Sequence, residues 1–368
     1  MKVGILTYHR AENYGALLQA YATKTYLQSL GHDVSFVDYW PKYHSDYFKL
    51  FPWQQINGRS LFNKIIFFII LLWGVVPRFI RKRRLQRFMY ERLELSKYPK
   101  YQDNRCRTGR FDIVIYGSDQ IWRKQNLGSV GFDNWYFGSD YVLADKKVVY
   151  AGSMGMINTT VSDDEYIKKM MRSFNHISVR EKDLQVYLSK LCIESVLVCD
   201  PVFLLTKEQW RMIKYKSQSK WKYILFYNLL NTPESKYFAD SLRDKTGLPV
   251  REINKQASPR RIGERYIRSA SVEQFLQLID DAEYVVSNSF HGIAMSIIFQ
   301  KQFYAVGMGS KSNRVLSLLD MIGLSDRYSH DGSLKIVNES SINYEDVMEQ
   351  LDLNINCSKD YLNISICE

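Results

Sequence analysis

The sequence predicts an α/β protein made of two doubly wound domains with parallel sheets. Short apolar runs alternate with segments of helical periodicity along most of the chain, a pattern typical of β-α-β units. The 368 residues also exceed what a single hydrophobic core usually serves. We expect an N-terminal domain over residues 1–175 with an insert at about 43–105, a C-terminal domain over 176–335, and a tail over 336–368 that packs back across the domains as a helix.

Composition narrows the class of protein and its partners. Hydrophobic residues make up 46% of the chain, as in ordinary soluble proteins. The net charge of +11 favours anionic partners such as nucleic acid, acidic lipid or phosphorylated substrates. The five cysteines include no CxxC pair, which argues against a zinc site and favours a reducing compartment. Since residues 1–6 look like a first strand rather than a signal peptide, we expect a cytoplasmic protein.

The first β-α-β unit consists of a strand over residues 3–7, a helix over 16–30 and a strand over 34–38. Asn13 and Gly15 follow the first strand, at the edge where ligands bind to open parallel sheets. Gly15 either allows a ligand to approach the backbone closely or only starts the helix. The spacing does not match the GxGxxG dinucleotide fingerprint.

A second polar group follows the strand predicted over residues 111–116. The Ser118 hydroxyl and the Asp119 carboxylate are suited to hydrogen-bond sugar hydroxyls, and Trp122 offers an apolar face to a sugar ring. Alternatively, Asp119 is the N-cap of a helix. A later strand ends at Arg180, which therefore emerges at a strand end of the same kind.

The insert contains an apolar run over residues 65–76 that only Gly74 interrupts. Six basic residues follow it: Arg78, Arg81, Lys82, Arg83, Arg84 and Arg87. The run is shorter than the roughly 20 residues that span a bilayer. We expect an interfacial element over residues 65–87 that inserts Phe68 and Trp73 into an anionic membrane surface. The alternative is a buried helix followed by a solvated basic face. No nucleic-acid-binding motif accompanies the charge, so we expect no nucleic-acid partner.

The second half repeats the alternation. Strands are predicted over residues 223–227, 250–253 and 284–286, and helices over 234–246 and 271–280.

The segment over residues 284–306 predicts a strand, a polar turn, a buried helix and another strand. His291 and Gly292 fall at the turn, where the backbone N–H groups that start the helix favour a negatively charged ligand. The alternative is a structural histidine that caps or braces the helix. Lys311 and Arg314 form a basic cluster at the start of the next helix.

Five stretches together resemble the polysaccharide pyruvyl transferase family. They are GILTYHRAENYGALLQAYA from Gly4, DIVIYGSDQIW from Asp112, SVREKD from Ser178, CDPVFLL from Cys199 and SNSFHGIAMSIIFQKQFYAV from Ser287. The likeness covers most of the chain except residues 43–105. It implies two Rossmann-like domains that face a cleft, similar to the glycosyltransferase-B architecture. It also implies phosphoenolpyruvate as donor, a sugar that is often carried on a polyprenyl diphosphate as acceptor, and a cyclic pyruvate ketal as product. Such ketals belong to cell-surface polysaccharides such as capsules and exopolysaccharides.

The resemblance also implies roles for individual residues. His291 matches the family's histidine and is expected to be the general acid/base, while Arg180 is expected to hold the anionic groups of the donor. The remaining donor-side residues are Ser289, Gly292, Lys311 and Arg314. The acceptor-side residues are Asn13, Gly15, Ser118 and Asp119. No cofactor or metal is expected, since phosphoenolpyruvate is a co-substrate.

One residue departs from the family pattern. Many relatives carry an arginine two positions before the histidine, where this chain has Ser289. Either another cation such as Arg261 or Arg314 replaces that arginine, or the donor differs. An alternative function is therefore a glycosyltransferase of the same architecture that uses a nucleotide-sugar. A third hypothesis is a non-enzymatic basic protein that binds membrane or nucleic acid. For the pyruvyl transferase we expect a peripheral location on the inner face of the cell membrane.

Overall fold

The computed structural model describes residues 1–49, 60–103, 106–125, 131–216, 221–254, 261–309, 312–333 and 341–368. The chain forms two compact units. The first contains Met1–Ser45, Met89–Leu205 and Met348–Glu368, and the second contains Asp46–Phe88 and Thr206–Val347.

Each unit contains one six-stranded sheet in which all neighbouring strands are parallel. The first sheet consists of β1 (Lys2–Leu6), β2 (Asp33–Phe36), β3 (Phe111–Tyr116), β4 (Ala144–Gly152), β5 (His176–Val179) and β6 (Val196–Leu197), in the order β2-β1-β3-β4-β5-β6. The second consists of β7 (Ile224–Asn228), β8 (Val250–Asn254), β9 (Tyr266–Ile267), β10 (Tyr284–Ser287), β11 (Gln302–Val306) and β12 (Tyr328–Ser329), in the order β12-β11-β10-β7-β8-β9. The predicted fold of two doubly wound α/β units is confirmed.

Helices lie between most of the strands, since parallel neighbours need crossover connections, and α11 follows the last strand. They are α1 (Tyr14–Ser29), α2 (Lys42–Tyr47), α3 (Leu61–Glu91), α4 (Val161–Met171), α5 (Lys182–Lys190), α6 (Lys207–Ile213), α7 (Pro233–Thr246), α8 (Val272–Asp280), α9 (Phe290–Ile298), α10 (Asn313–Met321) and α11 (Tyr344–Cys367).

Each sheet is buried against apolar side chains of its own unit. In the first unit, the core includes the fully buried side chains of Trp122, Trp135 and Tyr136. In the second, Phe226 and Val286 lie in one core cluster. Because burial occurs on both faces of such sheets, their strands are nearly continuous apolar runs, which is why the sequence pattern reveals them.

The boundary between the units differs from the position expected from the sequence. β5 and β6 pair within the first sheet, so residues 176–205 belong to the first unit rather than to the second. The C-terminal segment forms α11, whose residues from Met348 onward also belong to the first unit. There the Ser358 hydroxyl accepts a hydrogen bond from the backbone N–H of Cys199 (2.8 Å), and the Tyr361 hydroxyl donates to the carbonyl of Val149 (2.8 Å).

The insert forms the long helix α3, which contains Pro77. Its C-terminal part is packed: Leu85 and Phe88 are buried, and Arg84 donates to the Ser269 carbonyl (2.7 Å). Its N-terminal part is different, because large apolar side chains there are exposed. They include Leu61, Phe62, Ile65, Ile66, Phe68, Ile69, Leu72 and Val76. The side chain of Trp73 lies outside the described residues.

Within the described residues, no single helix is long and apolar enough to cross a membrane. Two segments bent by 60° relative to each other, Leu61–Ile69 and Gly74–Glu91, meet the length and composition criteria together.

Candidate functional site

The second unit presents His291 at the sheet edge where β10 ends and α9 begins. Ser289 is the N-cap residue of α9, and its own backbone N–H donates to the Ser287 hydroxyl (3.1 Å). The Ser289 side chain does not cap the helix. The positive end of the α9 dipole lies at this turn, and a helix N-terminus favours an anion. The predicted anion site at this turn stays a prediction. His291 is half-buried in this turn.

Gly292 is required by packing between α9 and the sheet. A Cβ atom at this position would lie 2.3 Å from the Ser287 hydroxyl and 2.8 Å from Cδ1 of Tyr227. Any larger residue would push the first turn of α9 away from β10 and β7, and the His291 ring would move with it.

A network of amide side chains holds the loop before His291. Asn288 Oδ1 accepts from the backbone N–H groups of Leu229 (2.7 Å) and Leu230 (3.1 Å). Asn288 Nδ2 donates to Asn228 Oδ1 (3.1 Å), and Asn228 Nδ2 donates to Glu252 Oε1 (3.1 Å). These contacts connect the carboxyl ends of β10, β7 and β8, which are neighbours in the sheet. This network could not be predicted from the sequence, although Asn228 and Asn288 follow predicted strands and Glu252 lies within one.

The network continues from Glu252 to two arginines. Glu252 is buried, with Arg265 Nε at 3.4 Å and Arg261 Nη1 at 3.8 Å from its carboxylate. Arg265 also contacts Asp240 at 2.5 Å. Arg261, one of the two predicted replacements for the missing arginine, is therefore linked through Glu252 and Asn228 to the His291 loop.

Arg314, the other predicted replacement, contacts the residue beside His291. Its guanidinium lies 5.5 Å from the centre of the Phe290 ring, within the range of a cation–π contact. The Phe290 and His291 rings meet edge to face at 5.2 Å. Phe290 thus contacts both Arg314 and His291. The predicted donor residue Lys311 lies outside the described residues.

The first unit presents Ser118 and Asp119 in a turn after β3. Asp119 has a positive φ of 68°, and its carboxylate accepts from the Gln120 backbone N–H (2.8 Å). It therefore lies in a turn and not at the N-terminus of a helix. At Gly117, a Cβ atom would lie 2.2 Å from the Tyr150 carbonyl, so only glycine allows this close approach of β3 to β4.

The structure places Arg180 beside these acceptor-side residues in the first unit, whereas the sequence prediction grouped it with the donor-side residues. Its buried guanidinium donates to Asp200 (2.5 Å) and Ser118 (2.9 Å), and it lies 3.3 Å from Glu181 and 3.7 Å from Asp119. Burial alone would lower the pKa of Arg180, but the three carboxylates raise it well above its usual value. Three carboxylates therefore already match the charge of Arg180, which leaves it poorly suited to hold an anionic donor.

Two further predicted residues have visible structural roles. Asn13 is the N-cap residue of α1, and its side chain accepts from the backbone N–H of Gly15 (2.9 Å). Trp122 is fully buried and donates from Nε1 to the Tyr136 carbonyl (2.9 Å). The prediction that Trp122 offers a face to a sugar ring is therefore wrong. A tryptophan that follows a strand can point into the core or towards solvent, and the sequence pattern around Trp122 does not distinguish the two.

No group of three or more His, Cys, Asp or Glu side chains is placed to hold a metal ion in the described part of the chain.

Comparison with known proteins decides the family. The model of the family described as polysaccharide pyruvyl transferase matches residues 13–310. The chain belongs to this family. Comparison with curated protein sequences gives no match.

Several solved structures match this family member over most of its length, at low identity and with TM-scores below 0.5. UDP-GlcNAc 2-epimerase from Neisseria meningitidis bound to UDP-GlcNAc matches with a TM-score of 0.46 and 8% identity, covering 99% of this chain and 94% of that one. The S. aureus MnaA–UDP structure matches with a TM-score of 0.46 and 10% identity, covering 100% and 91%. E. coli heptosyltransferase WaaC with ADP-2-deoxy-2-fluoro heptose gives a TM-score of 0.37 and 11% identity, covering 83% and 88%. Similarity at this level does not indicate the substrates of this chain.

Proposed function

We propose that this polysaccharide pyruvyl transferase moves the pyruvyl group of phosphoenolpyruvate onto a sugar of a polyprenyl-diphosphate-linked glycan, where it forms a cyclic ketal. The observation that carries the proposal is the His291 turn: a half-buried histidine in the first turn of α9, a helix whose N-cap side chain makes no capping hydrogen bond. Such a turn combines a proton-transferring group with donors for an anion.

The reaction requires one proton donor and cationic groups. Protonation of the enol carbon turns the CH₂ group into a methyl group and leaves C2 electron-poor. Two sugar hydroxyls then form C–O bonds to C2, and the C–O bond to phosphate breaks with its electron pair on phosphate. The two sugar hydroxyls lose two protons in total. One of them replaces the proton that was used to form the methyl group, and the other leaves with the phosphate as hydrogen phosphate. His291 is the proposed general acid for the first step.

The anionic groups of the donor require hydrogen-bond donors and positive charge. In our proposal the N-terminus of α9 supplies backbone N–H groups, and Arg314 and Arg261 supply the charge that Ser289 does not. Arg180 instead positions Ser118 and Asp119 on the acceptor side, because its charge is already matched by Asp200, Glu181 and Asp119.

The exposed N-terminal part of α3 supports a peripheral membrane location on the inner face of the cell membrane. Leu61 is 76% exposed and Phe62 is 71% exposed, which is unusual for side chains of this size. Basic residues follow on the same helix, including Arg83. Apolar insertion combined with attraction to anionic lipid would hold the enzyme beside a lipid-linked acceptor. In a flotation assay, we expect the protein to bind vesicles that contain phosphatidylglycerol, and Leu61→Ser with Phe62→Ser to weaken that binding.

The test of the function is phosphate release from phosphoenolpyruvate by purified protein, with and without an extract of lipid-linked oligosaccharides. We expect release that depends on the extract, together with a gain in glycan mass equal to one pyruvyl ketal. Two results would contradict the proposal. One is phosphate release that is the same with and without the extract, and the other is no phosphate release from a protein that nucleotide-sugars stabilise against unfolding.

A further inference from the structure

A cluster of rings lies close to Asp119 in the first unit. We call it the His44 cluster, which consists of Tyr8, Trp40, Tyr43 and His44. The His44 ring centre lies 4.6 Å from that of Tyr8, 4.9 Å from that of Trp40 and 4.4 Å from that of Tyr43. Tyr8, Tyr43 and His44 are half-buried, so this set of rings is partly accessible.

His44 is an unfavourable residue for the stability of this cluster. Its Nδ1 atom is buried and has no hydrogen-bond partner among the described residues. Burial lowers the pKa of His44 to about 4, although the Asp119 charge acts in the opposite direction. The imidazole is therefore neutral near pH 7. A phenylalanine would keep the ring contacts without burying an unbonded nitrogen, so packing alone does not explain a histidine here.

A second polar group in the same place also lacks a partner. Tyr136 is fully buried, and its hydroxyl oxygen has no hydrogen-bond partner within the described part of the chain. Its ring centre lies 5.1 Å from that of Tyr8. By contrast, the hydroxyls of Tyr39 (2.9 Å) and Tyr43 (2.7 Å) both donate to Asp133, which fixes the Tyr43 ring beside His44.

Tyr8 connects the cluster to the Asp119 turn. Its hydroxyl donates to the Gln120 carbonyl (3.0 Å) and accepts from Gln125 Nε2 (3.2 Å). Tyr8 follows β1 and Asp119 follows β3, and these strands are neighbours in the first sheet. The half-buried carboxylate of Asp119 and the imidazole of His44 therefore lie at the same sheet edge.

These groups define the chemistry of a ligand. Ring faces suit the C–H surface of a sugar, while a carboxylate and a neutral imidazole hydrogen-bond to hydroxyls. An anionic ligand is disfavoured by Asp119 and by the acidic groups around Arg180. We propose that the His44 cluster and Asp119 form the subsite for a neutral sugar ring, with hydroxyls bonded to His44 and Asp119. The assignment of that sugar as the acceptor rests on the proposed function, whereas sugar binding does not.

The experiment measures binding of methyl glycosides to the full chain by saturation-transfer NMR without phosphoenolpyruvate. The probes are the methyl pyranosides of galactose, glucose and mannose. His44→Phe keeps the ring and removes both nitrogens, Asp119→Asn removes the charge, and His32→Phe is the matched control between α1 and β2. We expect at least one probe to bind the unmodified protein and the control equally, and to bind His44→Phe and Asp119→Asn about tenfold more weakly. Melting temperatures should show that His44→Phe folds.

A probe that binds His44→Phe and Asp119→Asn as tightly as the unmodified protein would overturn the proposal, as would binding of no probe at all. If Asp119→Asn fails to fold, His44→Phe alone decides. The result is independent of the proposed function. Glycoside binding that depends on His44, without phosphate release from phosphoenolpyruvate, would remove the pyruvyl transfer and leave the sugar subsite. Phosphate release from phosphoenolpyruvate, with glycoside binding unchanged in His44→Phe, would remove the sugar subsite and leave the pyruvyl transfer.

Discussion

The carboxyl edges of the two sheets carry different chemistry, although both sheets have six parallel strands. At the first edge, Arg180 is surrounded by Asp119, Glu181 and Asp200, and aromatic rings lie beside them. At the second edge, neutral amides connect a single buried carboxylate, Glu252, to the turn of His291. The first edge is therefore acidic and ring-lined, and the second is built around a helix N-terminus with arginines nearby.

This difference suggests which substrate each edge accepts. Phosphoenolpyruvate carries a phosphate and a carboxylate, so it needs hydrogen-bond donors and positive charge. A sugar is neutral and rich in hydroxyls, so it suits carboxylates and rings. In our proposal the same topology serves two different substrates, because side chains at strand ends, and not the fold, decide what binds.

The largest expected effect is on catalysis at the second edge. His291→Gln should lower the rate of acceptor-dependent phosphate release by about 10²–10⁴-fold, the usual contribution of a general acid. The melting temperature should stay close to that of the unmodified protein. His330→Gln is the control, since His330 is exposed in the same unit. Equal rates for His291→Gln and the control would assign His291 a structural role.

The next effect is on stability at the first edge. Arg180→Met removes the cation that neutralises buried Asp200 and should lower the free energy of unfolding by about 3–5 kcal/mol, the usual result of breaking a buried ion pair. Urea unfolding measures this change. Arg110→Met, which breaks the exposed contact with Asp145, is the control and should leave the midpoint unchanged. A small effect at Arg180 would mean that the acidic groups there are solvated.

A smaller effect is expected from packing at the second edge. Gly292→Ala places a methyl group against Ser287 and Tyr227, and such overpacking costs about 1–3 kcal/mol. The His291 turn would shift, so phosphate release should fall as well. Gly109→Ala is the control, because a Cβ atom there meets nothing within 4 Å. If Gly292→Ala keeps full activity and stability, the position of α9 does not control the donor site.

The effect that is smallest at pH 7 concerns His44 at the first edge. The pKa of His44 is lowered to about 4 by burial, below the value near 6.5 of an unfolded histidine. Between these values the unfolded state binds more protons, so His44 removes stability as pH falls from 6.5 towards 4. His44→Phe should therefore be at least as stable as the unmodified protein at pH 7. The difference in free energy of unfolding between the two proteins should increase as the pH falls through this window. Thermal unfolding at several pH values tests this. A parallel pH dependence for both proteins would mean that His44 is solvated.

Much of the fold could be predicted from sequence because buried parallel strands are nearly continuous apolar runs. The predicted strand over residues 111–116 matches β3, and the strand, turn, helix and strand predicted over residues 284–306 match β10, α9 and β11. The boundary between the units could not be predicted in the same way. β5 and β6 have the same apolar pattern whichever sheet they join, since pairing partners are not encoded in the local pattern.

The site was predictable only where residues immediately follow a strand. Asp119 and His291 are predicted on that basis and lie after β3 and β10 in the structure. Arg180 is assigned to the donor by the family resemblance, since the sequence does not show that Asp200 and Glu181 already match its charge. His44 was missed because it lies in the insert, outside any strand end. Its significance comes from an unbonded buried nitrogen, and such a property exists only in three dimensions.

The central claim is that the anionic donor binds at the second edge. Hydrogen–deuterium exchange with and without phosphoenolpyruvate tests it most directly, because it locates protection in the unmodified full chain. We predict slower exchange in the peptides that contain Ser289 and His291, and no change in those that contain Ser118 and Asp119. Protection confined to the Asp119 turn and Arg180 would contradict the account, since the donor would then bind at the acidic edge.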